Sequence, residues 1–277
     1  MTEDDLSFLA QMLRRRSGLI LPPQKMRFVA GQLAPVMRRF GFRTADALVA
    51  ELRHGRDTLA RAVTEAMTTN ESSFFRDRAA FEQFRDIVLP RLIEARAKTK
   101  RLRIWCAACA AGQEPYSVAM LLDDAKLAAQ GWRIDLIATD LSAEMIARAE
   151  EGVYSHYEVQ RGLPIRRLVA HFDEDEGGWR IRENLRRLVT FRAFNLLDSY
   201  GWLDDLDVVF CRNVLIYFDR KTKSDVIDKI AEVLLPDGAL MLGHADSLRG
   251  VSEALMPLEQ APEIFVKSRA AAQRFAA

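Results

Sequence analysis

Cysteine is scarce. Three in 277 residues is an odd number, too few for a disulfide framework, and suits a reducing, cytoplasmic setting. No run of about 18 apolar residues occurs, so neither a transmembrane helix nor direct membrane insertion is expected. The amino terminus, M-T-E-D-D, lacks the charged and apolar regions of a signal peptide. A net charge is missing too: 40 basic residues face 39 acidic ones, so global charge gives no argument for nucleic acid. Glycine is sparse where a dinucleotide would need it. Between Leu102 and Ser117 only Gly112 occurs, where G-x-G-x-x-G requires three glycines, which disfavours a dehydrogenase. Cys106-x-x-Cys109 has zinc or redox spacing, but a structural zinc needs four ligands and Cys211 is the only other thiol, so no metal is expected. His54, His156, His171 and His244 have no nucleophile motif beside them.

What is present is 49% apolar residues, enough for a substantial core, in a chain of 277 residues, long enough for one large domain or two ordinary ones. Residues 1–69 read as an all-helical domain. Phe8, Leu9, Met12 and Leu13 share one helix face; Pro23 suits a second helix start, running from Gln24 to Phe40. Thr44 reads as the N-cap of a third helix, Ala45 to Arg53, and a fourth covers Asp57 to Thr68. Residues 70–78 form a linker, N-E-S-S-F-F-R-D-R, whose aromatic pair is odd in a segment that is normally polar. From 79 to 277 strand and helix signals alternate, after a lead-in helix from Ala79 to Lys98. Strands are expected at Leu102 to Cys106, Arg133 to Thr139, Leu206 to Cys211, Ala239 to Gly243 and Glu263 to Lys267. Helices are expected at Pro115 to Ala129, Ala143 to Glu151 and Thr222 to Leu235, with a turn at Pro236-Asp237-Gly238. This is an α/β pattern, a doubly wound parallel sheet with helices on both faces. Residues 171–191 read as a small antiparallel β insertion.

Ligands of such sheets bind beyond the carboxyl ends of the strands, and five segments are candidates. W-C-A-A-C-A-A-G-Q-E-P-Y-S offers small residues for close backbone approach, then a helix N-terminus with free N–H groups. In A-T-D-L-S, Asp140 ends a strand and can accept ribose hydroxyls, or else serve with Ser142 as a helix cap. In F-N-L-L-D, Asn195 presents a donor and an acceptor suited to an adenine edge, under apolar cover from Leu196. In F-C-R-N-V-L-I-Y-F, a buried strand runs into Arg212-Asn213, and Tyr217-Phe218 can wall a site. In the linker, Phe74-Phe75 are expected to anchor, leaving Asn70, Ser72 and Arg76 to cover the site. Together these point to a nucleoside cofactor without a tightly held pyrophosphate.

N-E-S-S-F-F-R-D, W-C-A-A-C-A-A-G-Q-E-P-Y-S, A-T-D-L-S, F-N-L-L and F-C-R-N-V-L-I-Y-F-D, in this order, resemble the chemotaxis receptor methyltransferases (CheR-type) from about Leu6 to Lys267. The resemblance implies an S-adenosylmethionine-dependent, Rossmann-like methyltransferase fold. It implies methyl transfer to glutamate side chains of chemoreceptor cytoplasmic helices, yielding a glutamyl methyl ester. Carried onto matching positions, it implies cofactor contacts from Asn70, Ser72, Arg76, Glu114 and Asp140, with Asn195-Leu196 at the adenine and Asn213-Val214 near the methionyl part. Arg76 and Tyr217 are the expected catalytic pair. Ser72 stands where threonine is usual, Gln113 where an acidic residue is frequent, and Cys106 and Cys109 where Ser or Ala is common. The family's second helix is basic and docks on acidic receptor helices. Here Lys25, Arg27, Arg38 and Arg39 sit at its ends, while Gln32, Pro35 and Val36 occupy its middle. The family's β-subdomain can tether a receptor's carboxyl-terminal peptide; the short acidic loop from Asp173 to Trp179 speaks against tethering. A non-catalytic sensor of the cofactor and a small-molecule methyltransferase are the competing readings.

Overall fold

The computed structural model describes residues 1–21, 29–268, 273 and 275, which form two compact units. The first comprises Met1–Thr69 with Tyr217–Thr222. Its helix α1, Glu3–Ser17, opens on a capping box: Thr2 accepts the Asp5 N–H at 3.2 Å, and Asp5 accepts the Thr2 N–H at 3.0 Å. Three acids in its first turn and three arginines in its last complement the helix dipole, and Gly18 ends it in the left-handed region. Helix α2 is described over Val29–Phe40; the expected start at Pro23 and Gln24, with Lys25 and Arg27, lies outside the described residues. Helix α3, Ala45–Arg53, has Thr44 as its cap, accepting the Ala47 N–H at 3.2 Å. Helix α4 covers Asp57–Ala66, two residues shorter than the expected Thr68 end. Leu9, Leu13, Leu33, Leu48 and Leu59 are fully buried among them, a core of the i, i+4 kind that an amphipathic pattern produces.

The second unit comprises Asn70–Ile216 and Lys223–Ala277, so the 70–78 segment belongs to it. The expected single helix from Ala79 to Lys98 is α5 (Arg78–Gln83), one wide turn (Phe84–Val88) and α6 (Leu89–Ala95). Pro90 explains the interruption: its ring crowds the preceding turn, and the Leu89 N–H reaches back five residues to the Phe84 carbonyl instead of four. Next come β1 (Arg101–Ala107), α7 (Gln113–Asp124), β2 (Arg133–Asp140), α8 (Ala143–Glu151), β3 (Val153–Ser155), α9 (His156–Gln160), α10 (Ile165–His171), β4 (Phe172–Asp175) and β5 (Gly178–Ile181). The chain continues through α11 (Glu183–Arg186), β6 (Val189–Ala193), β7 (Leu206–Cys211), α12 (Arg220–Val233), β8 (Leu234–Leu242), β9 (Met256–Leu258) and β10 (Ala261–Val266). Helix α7 stops before the expected Ala129, because Lys126 turns left-handed at φ 54°.

Seven strands form one sheet in the order β6-β2-β1-β7-β8-β10-β9. The first five are mutually parallel; β10 runs antiparallel to both β8 and β9. The sheet is therefore mixed at one edge rather than wholly parallel. Chain order reverses between β1 and β7, which places a crevice at their carboxyl ends. Two expectations are corrected. Pro236-Asp237-Gly238 is no turn but part of β8, where a register shift against β7 absorbs it. Asp237 and Asp207 there both bind Arg96, at 2.6 Å and 2.8 Å. The β insertion is not 171–191: its three strands are β3, β5 and β4, and Val189–Ala193 instead pairs in parallel with β2 in the main sheet. Local pattern could not separate these, because a short edge strand reads alike in either sheet.

Candidate active site

The crevice is built from the ends of β1, β2, β7 and β8. After Ala107 the chain bends sharply, with Ala108 at φ 56°, Ala110 at φ 48° and Gly112 at φ 90°. Two alanines in the left-handed region are strained and must be held by their surroundings. They are: the Cys109 N–H donates to the Thr139 carbonyl at 2.9 Å, and the Ala110 N–H donates to Asp140 Oδ2 at 2.8 Å. Asp140 Oδ1 accepts the Ser142 N–H at 2.9 Å. One buried carboxylate thus joins the loop after β1 to the loop after β2. Burial pushes the Asp140 carboxyl above the usual aspartate range, opposed by the N–H groups of Ser142, Ala110 and Leu141. A carboxylate has about four lone-pair positions, so a hydroxyl donor can still be accepted beside these three N–H groups. Ser142 also caps α8, accepting the Met145 N–H at 3.3 Å, so the capping role falls to Ser142 rather than Asp140.

Gly112 must be glycine for space as well as for its φ. A Cβ there would lie 2.9 Å from the Ala149 Cβ and 3.1 Å from the Tyr154 hydroxyl. Tyr154 in turn donates to the Ala111 carbonyl at 2.7 Å. Beyond Gly112, α7 begins with Gln113 and Glu114. Arg212, at the end of β7, donates through Nη1 to Glu114 Oε2 at 2.8 Å. Its Nη2 donates to the Arg76 carbonyl at 2.7 Å and to Asp77 Oδ2 at 3.0 Å, and its guanidinium lies 5.1 Å from the Phe81 ring centre. The Arg212 side chain is 1% exposed. Burial pushes the Glu114 carboxyl up; Arg212 opposes this by charge and hydrogen bond, and Arg76 by charge.

The 70–78 segment is held to this unit at several points. Phe74 is fully buried, edge-on to Tyr154 at 4.9 Å and to Phe172 at 5.5 Å. The Phe75 N–H donates to Ser117 Oγ at 3.0 Å, and Phe75 and Asp77 both take positive φ. Arg76 Nη1 donates to the Glu71 carbonyl at 2.7 Å. Asn70 and Ser72 are half-buried in the same segment.

Asn195 follows β6 and closes a tight turn, accepting the Leu197 N–H at 3.0 Å. It is tied to the crevice because the Phe194 N–H donates to the Asp140 carbonyl at 2.8 Å. Leu196 is buried, its carbonyl accepting the Tyr200 hydroxyl at 3.0 Å. Asn213 takes φ 58° and donates its N–H to Asp246 Oδ2 at 2.8 Å, with Val214 half-buried beside it. Thus Asn70, Ser72, Arg76, Glu114, Asp140, Asn195, Leu196, Asn213 and Val214 all belong to one unit. Tyr217 does not. It falls with the helical unit, where its carbonyl accepts the Ile20 N–H at 2.9 Å.

Two residues escape a motif-by-motif reading, and a third, Arg212, is visible at its strand end without its partners. Asp77 is overshadowed by the aromatic pair before it. Asp246 carries the signal that exposes Asp140, an acid just beyond a strand's carboxyl end. The thiols of Cys106, Cys109 and Cys211 are buried, and burial pushes all three well above the ordinary range. Among the described residues no group of three or more His, Cys, Asp or Glu could hold a metal ion, and no helix is long and apolar enough to cross a membrane.

The residues present fit a nucleoside bearing an amino-acid tail. Asp140 offers acceptor capacity, Gly112 offers close approach, and Gln113 Oε1 and Arg212 Nε are buried without partners among the described residues. Residues 70–264 match the model of the CheR methyltransferase SAM binding domain, and residues 4–68 match the CheR methyltransferase all-alpha domain. The chain is 38% identical over 269 residues to Chemotaxis protein methyltransferase 1 of Pseudomonas aeruginosa, covering 96% of this chain and 98% of that one. It is 37% identical to Chemotaxis protein methyltransferase Cher2 of Pseudomonas putida (93% and 95% covered) and 36% identical to the chemotaxis protein methyltransferase of Vibrio parahaemolyticus (93% and 94%). With its S-adenosylmethionine-binding domain and its all-helical domain both matched in order, the chain belongs to the CheR methyltransferase family and is an S-adenosylmethionine-dependent methyltransferase of chemotaxis.

Proposed function

We propose that this methyltransferase acts in the cytoplasm on glutamate side-chain carboxylates in the cytoplasmic helices of membrane chemoreceptors, giving glutamyl methyl esters and S-adenosylhomocysteine. The observation that carries the reading is the clamp on the 70–78 segment. Arg212 grips the Arg76 main chain beside Glu114, which supports a role for Arg76 at the carboxyl end of β7.

A glutamate with an ordinary pKa of about 4.3 is ionised at neutral pH and is already a nucleophile. It needs no general base. When bound, the cofactor's sulfonium supplies an activated methyl group. The protein's task is then alignment and partial desolvation. Arg76 is assigned to hold a carboxylate, the acceptor's or the cofactor's, for which its planar fork is suited. Too firm a grip on the acceptor would blunt its nucleophilicity, and Tyr217 is assigned to share the orienting. Asn70, Ser72 and Glu114 shape the cofactor site, with Asp140 at the ribose, Asn195 and Leu196 at the adenine, and Asn213 and Val214 near the methionyl end.

The test is transfer of labelled methyl from S-adenosylmethionine to membranes of the source cell. Base-labile label on a receptor-sized band is expected; label on small molecules alone overturns the acceptor. If Arg76→Ala and Tyr217→Phe both keep full turnover with normal cofactor affinity, their assigned roles are wrong.

A further inference from the structure

Strands β7 and β8 are neighbours, with Cys211 beside Leu242 at their carboxyl ends, so Asn213 and Gly243 leave the sheet side by side. Asn213 sits at φ 58°, a conformation that asparagine tolerates better than most residues but that something must hold. Asp246 Oδ2 accepts the Asn213 N–H at 2.8 Å and the Gly243 N–H at 3.1 Å. Gly243 makes room for this. A Cβ there would lie 2.8 Å from Asn213 Nδ2 and 2.9 Å from Asp246 Oδ2. Burial pushes the Asp246 carboxyl above the usual aspartate range, and the Asn213, Gly243 and Ile216 N–H groups oppose it. One side chain thus ties the end of β8 to the stretch that follows β7.

We propose that Asp246 is a positioning residue of the cofactor site, fixing the Asn213 main chain and thereby the direction of the Asn213 carboxamide and of Val214. The proposal rests on the cofactor and on the placement of Asn213 against it, not on the acceptor, and its test needs no acceptor.

The test is calorimetric titration of the full chain with S-adenosylhomocysteine, alongside thermal melting. D246A is expected to weaken binding by about tenfold or more, and D246N by no more than about threefold, because an amide oxygen still accepts both N–H groups. N213A should match D246A, and the double variant should be no weaker than the weaker single one, as for residues acting through one contact. Gly243→Ala, which crowds the same contact, should also lose about tenfold and carries the test if D246A does not fold. Lowered melting with unchanged affinity in D246A would overturn the proposal, as would D246N binding as weakly as D246A. So would losses in D246A and N213A that multiply in the double variant.

Discussion

Arg212 Nη1 donates to Glu114 Oε2 at 2.8 Å, joining residues 98 positions apart. The same guanidinium holds the Arg76 carbonyl. The end of β7, the start of α7 and the 70–78 segment are thereby one hydrogen-bonded body, and the arginine assigned to the chemistry is positioned by another arginine.

Arg212→Met should be severe. It leaves Glu114 buried without its cation, and breaking one side of such a pair costs about 3–5 kcal/mol. Urea denaturation should show this loss. Adding Glu114→Gln to Arg212→Met should recover part of it, since the stranded charge is then gone. Full additivity of the two changes would show that the pair does not act as a unit.

Gly112→Ala forces a side chain into the left-handed region and drives a Cβ to 2.9 Å from Ala149. A stability loss of about 1–3 kcal/mol is expected, together with weaker binding of S-adenosylhomocysteine. Gly131, also left-handed but with nothing within 4 Å of its Cβ position, is the control. Its alanine variant should lose stability only and keep cofactor affinity.

Cofactor affinity should fall on the acid side, through Asp140. Burial raises this carboxyl above its ordinary 3.8. Above its folded pKa it is ionised and accepts hydrogen bonds; as pH falls through that raised value, it gains a proton and loses acceptor capacity. Its stability contribution runs the other way, fullest below the unfolded value and lost as pH rises through the folded one. Titrating S-adenosylhomocysteine binding against pH should show an acid limb in the wild type. Asp140→Asn should bind weakly and remove the limb; a limb that survives would assign it to another group.

His171 should govern stability nearer neutrality. Burial pushes its pKa below 6.5; the nearby Asp123 and Asp124 oppose that and Arg167 and Arg182 reinforce it. A base harder to protonate when folded contributes stability that is full above its unfolded pKa and lost as pH falls through the folded one. The urea midpoint should therefore drop between about pH 7.5 and about pH 5.5. His171→Gln should flatten that drop. An equal drop in both proteins would place the acid sensitivity elsewhere.

Legibility in the sequence followed locality. Helix α3 with its Thr44 cap, helix α8 and strand β7 lie at the expected residues, because capping, apolar period and a continuous buried run are properties of contiguous chain. Expectation departed from structure where partners lie far apart. Pro236-Asp237-Gly238 reads as a turn until Asp237 is seen bound to Arg96, 141 residues away. Val189–Ala193 reads as part of the insertion until its parallel pairing with β2 is known. Of the site, the strand-end acids and asparagines were visible as polar residues where a sheet ends.

The class of fold and the kind of cofactor are read from the amino acids alone. Alternating strand and helix periods permit few architectures, and the solitary Gly112 with Asp140 and Asn195 behind their strands suits a nucleoside better than a dinucleotide. Which residues hold the site in shape emerges only once the chain is folded. Arg212, Asp77 and Asp246 act through hydrogen bonds to main-chain and side-chain groups set by sheet order. The energy of those bonds depends on burial, and burial is a property of the folded whole, not of any local stretch.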